Sequence, residues 1–257
     1  MIWVNGASRF QRYRNSLVSQ AIVREAISTS RGGAIERDIT ARESVVDGSV
    51  VRRLVPAPGC SMVGPFVSFD HLHSSTPVLP SSAALSINTS TDVAIVTYCL
   101  KGALRASAGD ASERPTYQSI QSWIALPEAP AAPRPVSEHY ATHEIPAIEL
   151  ADTRVCVVLG DAYGQRSPAM HYSPTLKLHC EMPEGAEFQV PTTVTELSIY
   201  IVEGLVTIDG RGYTPGMMAV AATGWPARLC AMRDSTVVII GGEPPRLVRK
   251  THKWAWS

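Results

Sequence analysis

From Ile35 onward, turn signals recur about every 8–12 residues, and the runs between them are short and rich in β-branched and aromatic residues. This cadence constrains the fold more than any other feature. Runs this short are too brief for core helices, and no helical stretches alternate with them as a parallel βαβ sheet requires. The candidate strands are 66–69, 93–100, 120–126, 154–159, 176–181, 197–202, 205–208, 217–221, 227–232 and 236–240. Asp209-Gly210 suits a tight hairpin, Pro215-Gly216 suits a turn whose glycine has positive φ, and Pro183-Glu184-Gly185 reads as another turn. The expectation is an all-β sandwich or barrel.

At 257 residues the chain is long enough for one large or two modest domains with full cores. Lys+Arg and Asp+Glu are each 23, so the net charge is zero and there is no bulk field to recruit nucleic acid. Direct nucleic-acid binding is therefore not expected, and since no apolar run approaches the roughly 18 residues that cross a bilayer, membrane spanning is not expected either. The five cysteines, Cys60, Cys99, Cys156, Cys180 and Cys230, are scattered and odd in number, with no CxxC pair. They read as small core residues of a reduced, intracellular protein, and they exclude a cysteine-built zinc site. Cys99 and Cys180 are expected to be buried and inert.

The organisation follows from composition. Residues 1–34 form an N-terminal extension with Arg9, Arg12, Arg14, Arg24 and Arg31 but one acid, Glu25, and with a short helix over 16–28. That composition suits either an ordinary helical extension or an organelle transit segment. Proline and alanine dominate 127–135, so 128–149 reads as a linker between units at 35–127 and 150–245. Tyr98-Cys99-Leu100-Lys101-Gly102 matches Tyr200-Ile201-Val202-Glu203-Gly204, which suggests a duplicated unit. The first copy is shorter: after Gly102 the chain reaches the next strand without the extra hairpin that follows Gly204. A skipped exon would leave the same sequence. A truncated barrel bares sheet edges and interior, so a protein partner or a homodimer is expected to cover it.

Several motifs then become recognisable in order along the chain. Val51-Arg52-Arg53-Leu54-Val55-Pro56, Met62-Val63-Gly64-Pro65-Phe66 and Phe69-Asp70-His71 resemble the opening of the pirin family. So do Val96-Thr97-Tyr98, Gln121-Ser122-Trp123-Ile124-Ala125-Leu126-Pro127 and Gly164-Gln165-Arg166-Ser167-Pro168, and Gly241-Gly242-Glu243-Pro244 resembles the ending of its second barrel. Residues 246–257, with Trp254-Ala255-Trp256, resemble a shortened C-terminal arm. The resemblance implies a bicupin: two cupin-type jelly-roll (double-stranded β-helix) barrels, here with the first truncated. It also implies a metal, usually iron, in the first barrel, held by three histidines and a glutamate. Some members oxidise quercetin with dioxygen, and others act as transcriptional cofactors.

The family's His-x-His pair falls on Asn88 and Ser90, and the segment that should carry the third histidine and the glutamate is the shortened one. Neutral oxygen donors hold divalent iron poorly, so no metal, cofactor or catalytic residue is expected at the inherited site. The expected function is a non-catalytic binding or regulatory protein. The alternative is a quercetin-dioxygenase-type enzyme with relocated ligands, either His71 and His73 or His171, His179 and Glu181. His71 reads first as a structural hydrogen-bonding residue, and His139 and His143 as solvated. Nucleophile, phosphate and dinucleotide motifs are absent from the sequence. A cytoplasmic location is expected, with a nuclear or organellar one open. The expected core is Phe66, Val96, Leu100, Trp123, Ile124, Val157, Leu178, Ile199, Ile201, Val206, Val220 and Ile239.

Overall fold

The structure, a computed structural model, describes residues 35–79, 82–90, 92–101, 117–127, 136–170, 173–191, 194–221 and 224–245. The expected helix over 16–28, the shortened segment after Gly102, most of the proline-rich stretch, His171 and the arm over 246–257 lie outside the described residues.

The described chain is almost wholly strand. One seven-stranded antiparallel sheet holds β2 (Arg42–Val46), β3 (Ser49–Val55), β4 (Phe66–Ser74), β5 (Leu85–Thr89), β6 (Val93–Lys101), β7 (Tyr117–Ala125) and β8 (Ser137–Tyr140), in the order β2-β3-β4-β7-β6-β5-β8. A second holds β1 (Ile35–Thr40), β9 (Ala147–Leu150), β10 (Thr153–Leu159), β13 (Thr175–Met182), β15 (Glu196–Glu203), β18 (Met217–Ala221) and β20 (Ser235–Gly242), in the order β1-β18-β15-β20-β13-β10-β9. Four short strands, β14 (Glu187–Gln189), β16 (Val206–Ile208), β17 (Arg211–Tyr213) and β19 (Arg228–Ala231), make a third sheet. A two-residue hairpin, β11 (Asp161–Ala162) with β12 (Gln165–Arg166), completes the set. All ten expected strands lie at their sequence positions. The sheets are open rather than closed into barrels, and the architecture is all-β of the cupin class.

Alternation along each strand explains the layers. One face of the first sheet supplies Phe66, Phe69, Val96, Tyr98, Ile120 and Ile124 to a core shared with Cys156, Val158, Tyr200, Val202, Val238 and Ile240 of the second. The other face of the second sheet packs Val157, Leu178, Ile199, Ile201 and Ile239 against Val206, Ile208 and Leu229 of the small sheet. Three expected core residues are only half-buried. Leu100 and Val220 sit at the margin of the shared core. Trp123 is on the opposite face of the first sheet, where no described four-stranded sheet covers it. Cys99 is also half-buried: the ladder slips between Cys99 and Lys101, and the thiol donates to the Lys101 carbonyl.

The two halves are interlaced. β1 precedes the whole first sheet in the chain yet pairs with β18 in the second, burying Ile39 in the shared core. Gly64 and Gly242, from two of the family-like motifs, bring the halves close together. A Cβ on Gly64 (φ +51) would meet the Gly242 backbone nitrogen at 2.8 Å. Asp209-Gly210, both at positive φ, form the expected hairpin between β16 and β17.

Candidate functional site

The registers make the duplication explicit. In the first sheet His71, Ile120 and Tyr98 lie on one rung across β4, β7 and β6. In the second, His179, Val238 and Tyr200 lie on one rung across β13, β20 and β15. The two sheets face each other, so each half's tyrosine meets the other half's histidine. His71 Nδ1 is hydrogen-bonded to Tyr200 Oη at 2.8 Å, and His179 Nδ1 to Tyr98 Oη at 3.0 Å. Lys101 and Glu203, matched charges that follow the two tyrosines, form an ion pair between the halves.

Both imidazoles are buried, at 0% and 4% exposure. Burial drives His71 down to about 3, with the positive ends of His73 and Arg52 adding to it, and drives His179 down to about 4. The same burial pushes the Tyr98 and Tyr200 hydroxyls up. All four groups are neutral near pH 7, and each pair is a neutral hydrogen bond sealing the interface. His73 packs its ring 4.2 Å from that of His71, and its Nε2 accepts from Arg52 at 3.3 Å. Glu181 points to the surface and pairs with Arg154 at 3.2 Å.

The row one position along differs sharply between halves. In the second sheet Val157, Leu178, Ile239, Ile199 and Ala219 run across five strands, all buried and apolar, under the small sheet. The same row of the first sheet reads Arg53, Asp70, Gln121, Thr97 and Ser86. Arg53 grips Asp70 through two hydrogen bonds of 2.8 Å. The expected apolar interior is therefore replaced along this central row by hydrogen-bonding groups. Chain length fits this difference: residues 204–234 link β15 to β20 and carry β16 to β19, whereas only 102–116 link β6 to β7.

Asn88 and Ser90 lie at the end of β5. Asn88 donates from Nδ2 to Ser86 Oγ at 3.2 Å and accepts from Ser137 Oγ at 2.8 Å, while Ser90 Oγ donates to the Val93 carbonyl at 3.1 Å. Their side chains serve local backbone and hydroxyl partners. Among the described residues there is no group of three or more His, Cys, Asp or Glu able to hold a metal ion. Asn88 and Ser90 thus present an amide and a hydroxyl, not imidazoles. Among those residues no helix is long and apolar enough to cross a membrane.

A cavity of about 430 Å³ opens between the halves beside the Tyr98–His179 pair. Sequence reasoning singled out His71, His179 and the repeated tyrosines separately, but it missed that they pair crosswise and that a cavity adjoins one pair. The signal available was that each histidine stands near its own half's repeated tyrosine strand.

Two interlaced antiparallel sheets packed through a shared core make a cupin-class fold in two halves. The relatives narrow this further. A pirin-like protein of Caulobacter vibrioides is 28% identical over 242 residues, covering 81% of this chain and 84% of that protein. Pirin of Rattus norvegicus is 26% identical over 234 residues, covering 77% and 78%. The chain is similar to pirins over about four fifths of its length. No family model matches it. Among solved structures, a quercetin 2,3-dioxygenase of Acinetobacter baumannii superposes with a TM-score of 0.61 at 19% identity, covering 82% of this chain and 79% of that one, a likeness of fold.

Proposed function

We propose that this chain is a pirin-family bicupin that has lost the family's metal grip and works by binding rather than by turnover. The observation that carries the reading is the pair Asn88 and Ser90, neutral oxygen side chains at the His-x-His positions and already engaged with Ser86, Ser137 and Val93. A redox metal needs several strong donors at about 2 Å to stay bound.

The relocated-ligand reading draws no support from the geometry. His71 and His179 each commit Nδ1 to a tyrosine, His73 Nε2 faces the Arg52 guanidinium, and Glu181 is paired with Arg154. Arginine only donates, so a cation beside His73 Nε2 would meet a like charge.

The test is a quercetin-decay assay on the full chain with iron, copper, nickel or manganese added in turn. The expected result is decay no faster than that of the free metal. Saturable turnover abolished by His71→Ala would overturn the proposal in favour of relocated ligands.

A further inference from the structure

We propose that the cavity between the halves is a binding site for a small, uncharged, planar aromatic molecule bearing a hydroxyl or carbonyl group, recognised by His179, whose ring Tyr98 orients. This goes beyond the function proposed above and holds whether or not the first half keeps a metal.

At about 430 Å³ the cavity is of the size that encloses a small organic ligand. Its walls come from both sheets and from residues 77–79 and 82–84. Leu79, Ala84, Leu100 and Ile145 make it largely apolar, and Tyr98 and Tyr117 add aromatic surface. Facing sheets stand about 10 Å apart, which favours a flat ligand over a bulky one.

The polar groups set the chemistry. His179 lines the cavity with 4% of its surface exposed, and Tyr98 is equally enclosed at 5%. Tyr98 holds His179 Nδ1, which orients the ring and leaves Nε2 to a ligand. Cys156, beside them, is a buried thiol. The charges that line the cavity, Arg154 and Glu181, neutralise one another. An ionised ligand would give up its hydration without gaining a counter-charge. A pure hydrocarbon would leave His179 Nε2 without a partner from the ligand. A neutral hydroxyl- or carbonyl-bearing aromatic meets both conditions.

The probe is β-naphthol, fluorescent and neutral at pH 7, titrated into the full chain alongside naphthalene and β-naphthoate. The expected result is saturable β-naphthol binding, with naphthalene and naphthoate each weaker by about tenfold or more, the worth of one good hydrogen bond or an uncompensated charge. Ala83→Trp, at a partly exposed point of the cavity wall, should abolish binding at an unchanged melting temperature. His179→Phe should bind naphthalene and β-naphthol alike. Where that variant does not fold, the loss of binding in Ala83→Trp carries the test. No saturable binding by the wild type, undiminished binding by Ala83→Trp, or equal affinity for naphthoate would overturn the proposal.

Discussion

Tyr200 reaches across the interface to His71, 129 positions earlier in the chain, and closes a 2.8 Å hydrogen bond inside the core shared by the two sheets. The equivalent bond runs the other way, from Tyr98 to His179. Each half thus supplies one imidazole and one phenol to its neighbour. Both pairs are buried beside the apolar core shared by the sheets, so removing one partner strands a buried polar atom. Among the described residues His71 Nε2 has no hydrogen-bond partner, and Tyr200→Phe would take away the partner of Nδ1 as well. Tyr200→Phe is expected to cost about 1–3 kcal/mol in urea unfolding. The double variant His71→Phe with Tyr200→Phe should recover much of that loss, because both polar partners leave together. A double variant no better than the single would show that the pair is not the coupled unit described.

The same histidines set the acid limit. Unfolded, each titrates at about 6.5; folded, His71 titrates at about 3 and His179 at about 4. Between those values the unfolded chain binds more protons, so stability is full above about pH 6.5 and falls as pH drops toward 4. Urea midpoints at pH 7, 6, 5 and 4 should therefore decline, and the double variant at positions 71 and 200 should decline less steeply. Identical slopes for the two proteins would contradict the burial account of His71.

Lys177 has a pH signature of the same sign in a higher window. It is fully buried, and its amine donates to Ser122 Oγ at 3.1 Å. Burial lowers its pKa from 10.5 to about 7. Between those values the unfolded chain again binds the extra proton, so the destabilisation by Lys177 is greatest at and below pH 7 and shrinks as pH rises. Lys177→Met is expected to be more stable than wild type by about 1–3 kcal/mol at pH 7. That gap should narrow toward pH 9. The buried thiols of Cys156 and Cys180 pull the other way at alkaline pH in both proteins, so the difference between them is the quantity to measure. A gap that widens with pH would contradict a neutral buried amine.

The chain's interlacing gives a third kind of prediction. β1 covers the edge of β18 through five Cα partnerships and fills the shared core with Ile39. A chain starting at residue 42 leaves that edge unpaired and a void at the Ile39 site. The expected outcome is a lower melting temperature and self-association in light scattering. A monomer of unchanged stability would mean that the second half stands without the strand.

Much of this architecture was readable in the sequence, for identifiable reasons. The central strands β4, β6, β7, β10, β13, β15 and β20 are dense in β-branched and aromatic residues, and turns such as Asp209-Gly210 mark their ends. The edge strands were not marked. β2 reads Arg-Glu-Ser-Val-Val and is exposed at every position, so it lacks the alternation a half-buried strand shows. Its hairpin turn, Asp47-Gly48, carries the same signal as Asp209-Gly210 and would have revealed it. The turn between β9 and β10 places Ala151 and Asp152 at positive φ, a conformation that alanine does not advertise. The site was legible residue by residue, at Asn88, Ser90, His71 and His179. Its crosswise pairing depends on how the sheets face each other, which periodicity along one strand does not encode. The polar row from Arg53 to Ser86 was hidden for the same reason, since its members come from five separate strands.

The metal content of the full chain tests most directly the proposed loss of a metal grip in the first half. Protein purified without chelator or added metal, then analysed by inductively coupled plasma mass spectrometry, is expected to carry only substoichiometric traces of iron, copper, nickel, manganese and zinc. One ion per chain that survives dialysis, and that is lost on replacing Asn88 and Ser90 with alanine, would contradict it.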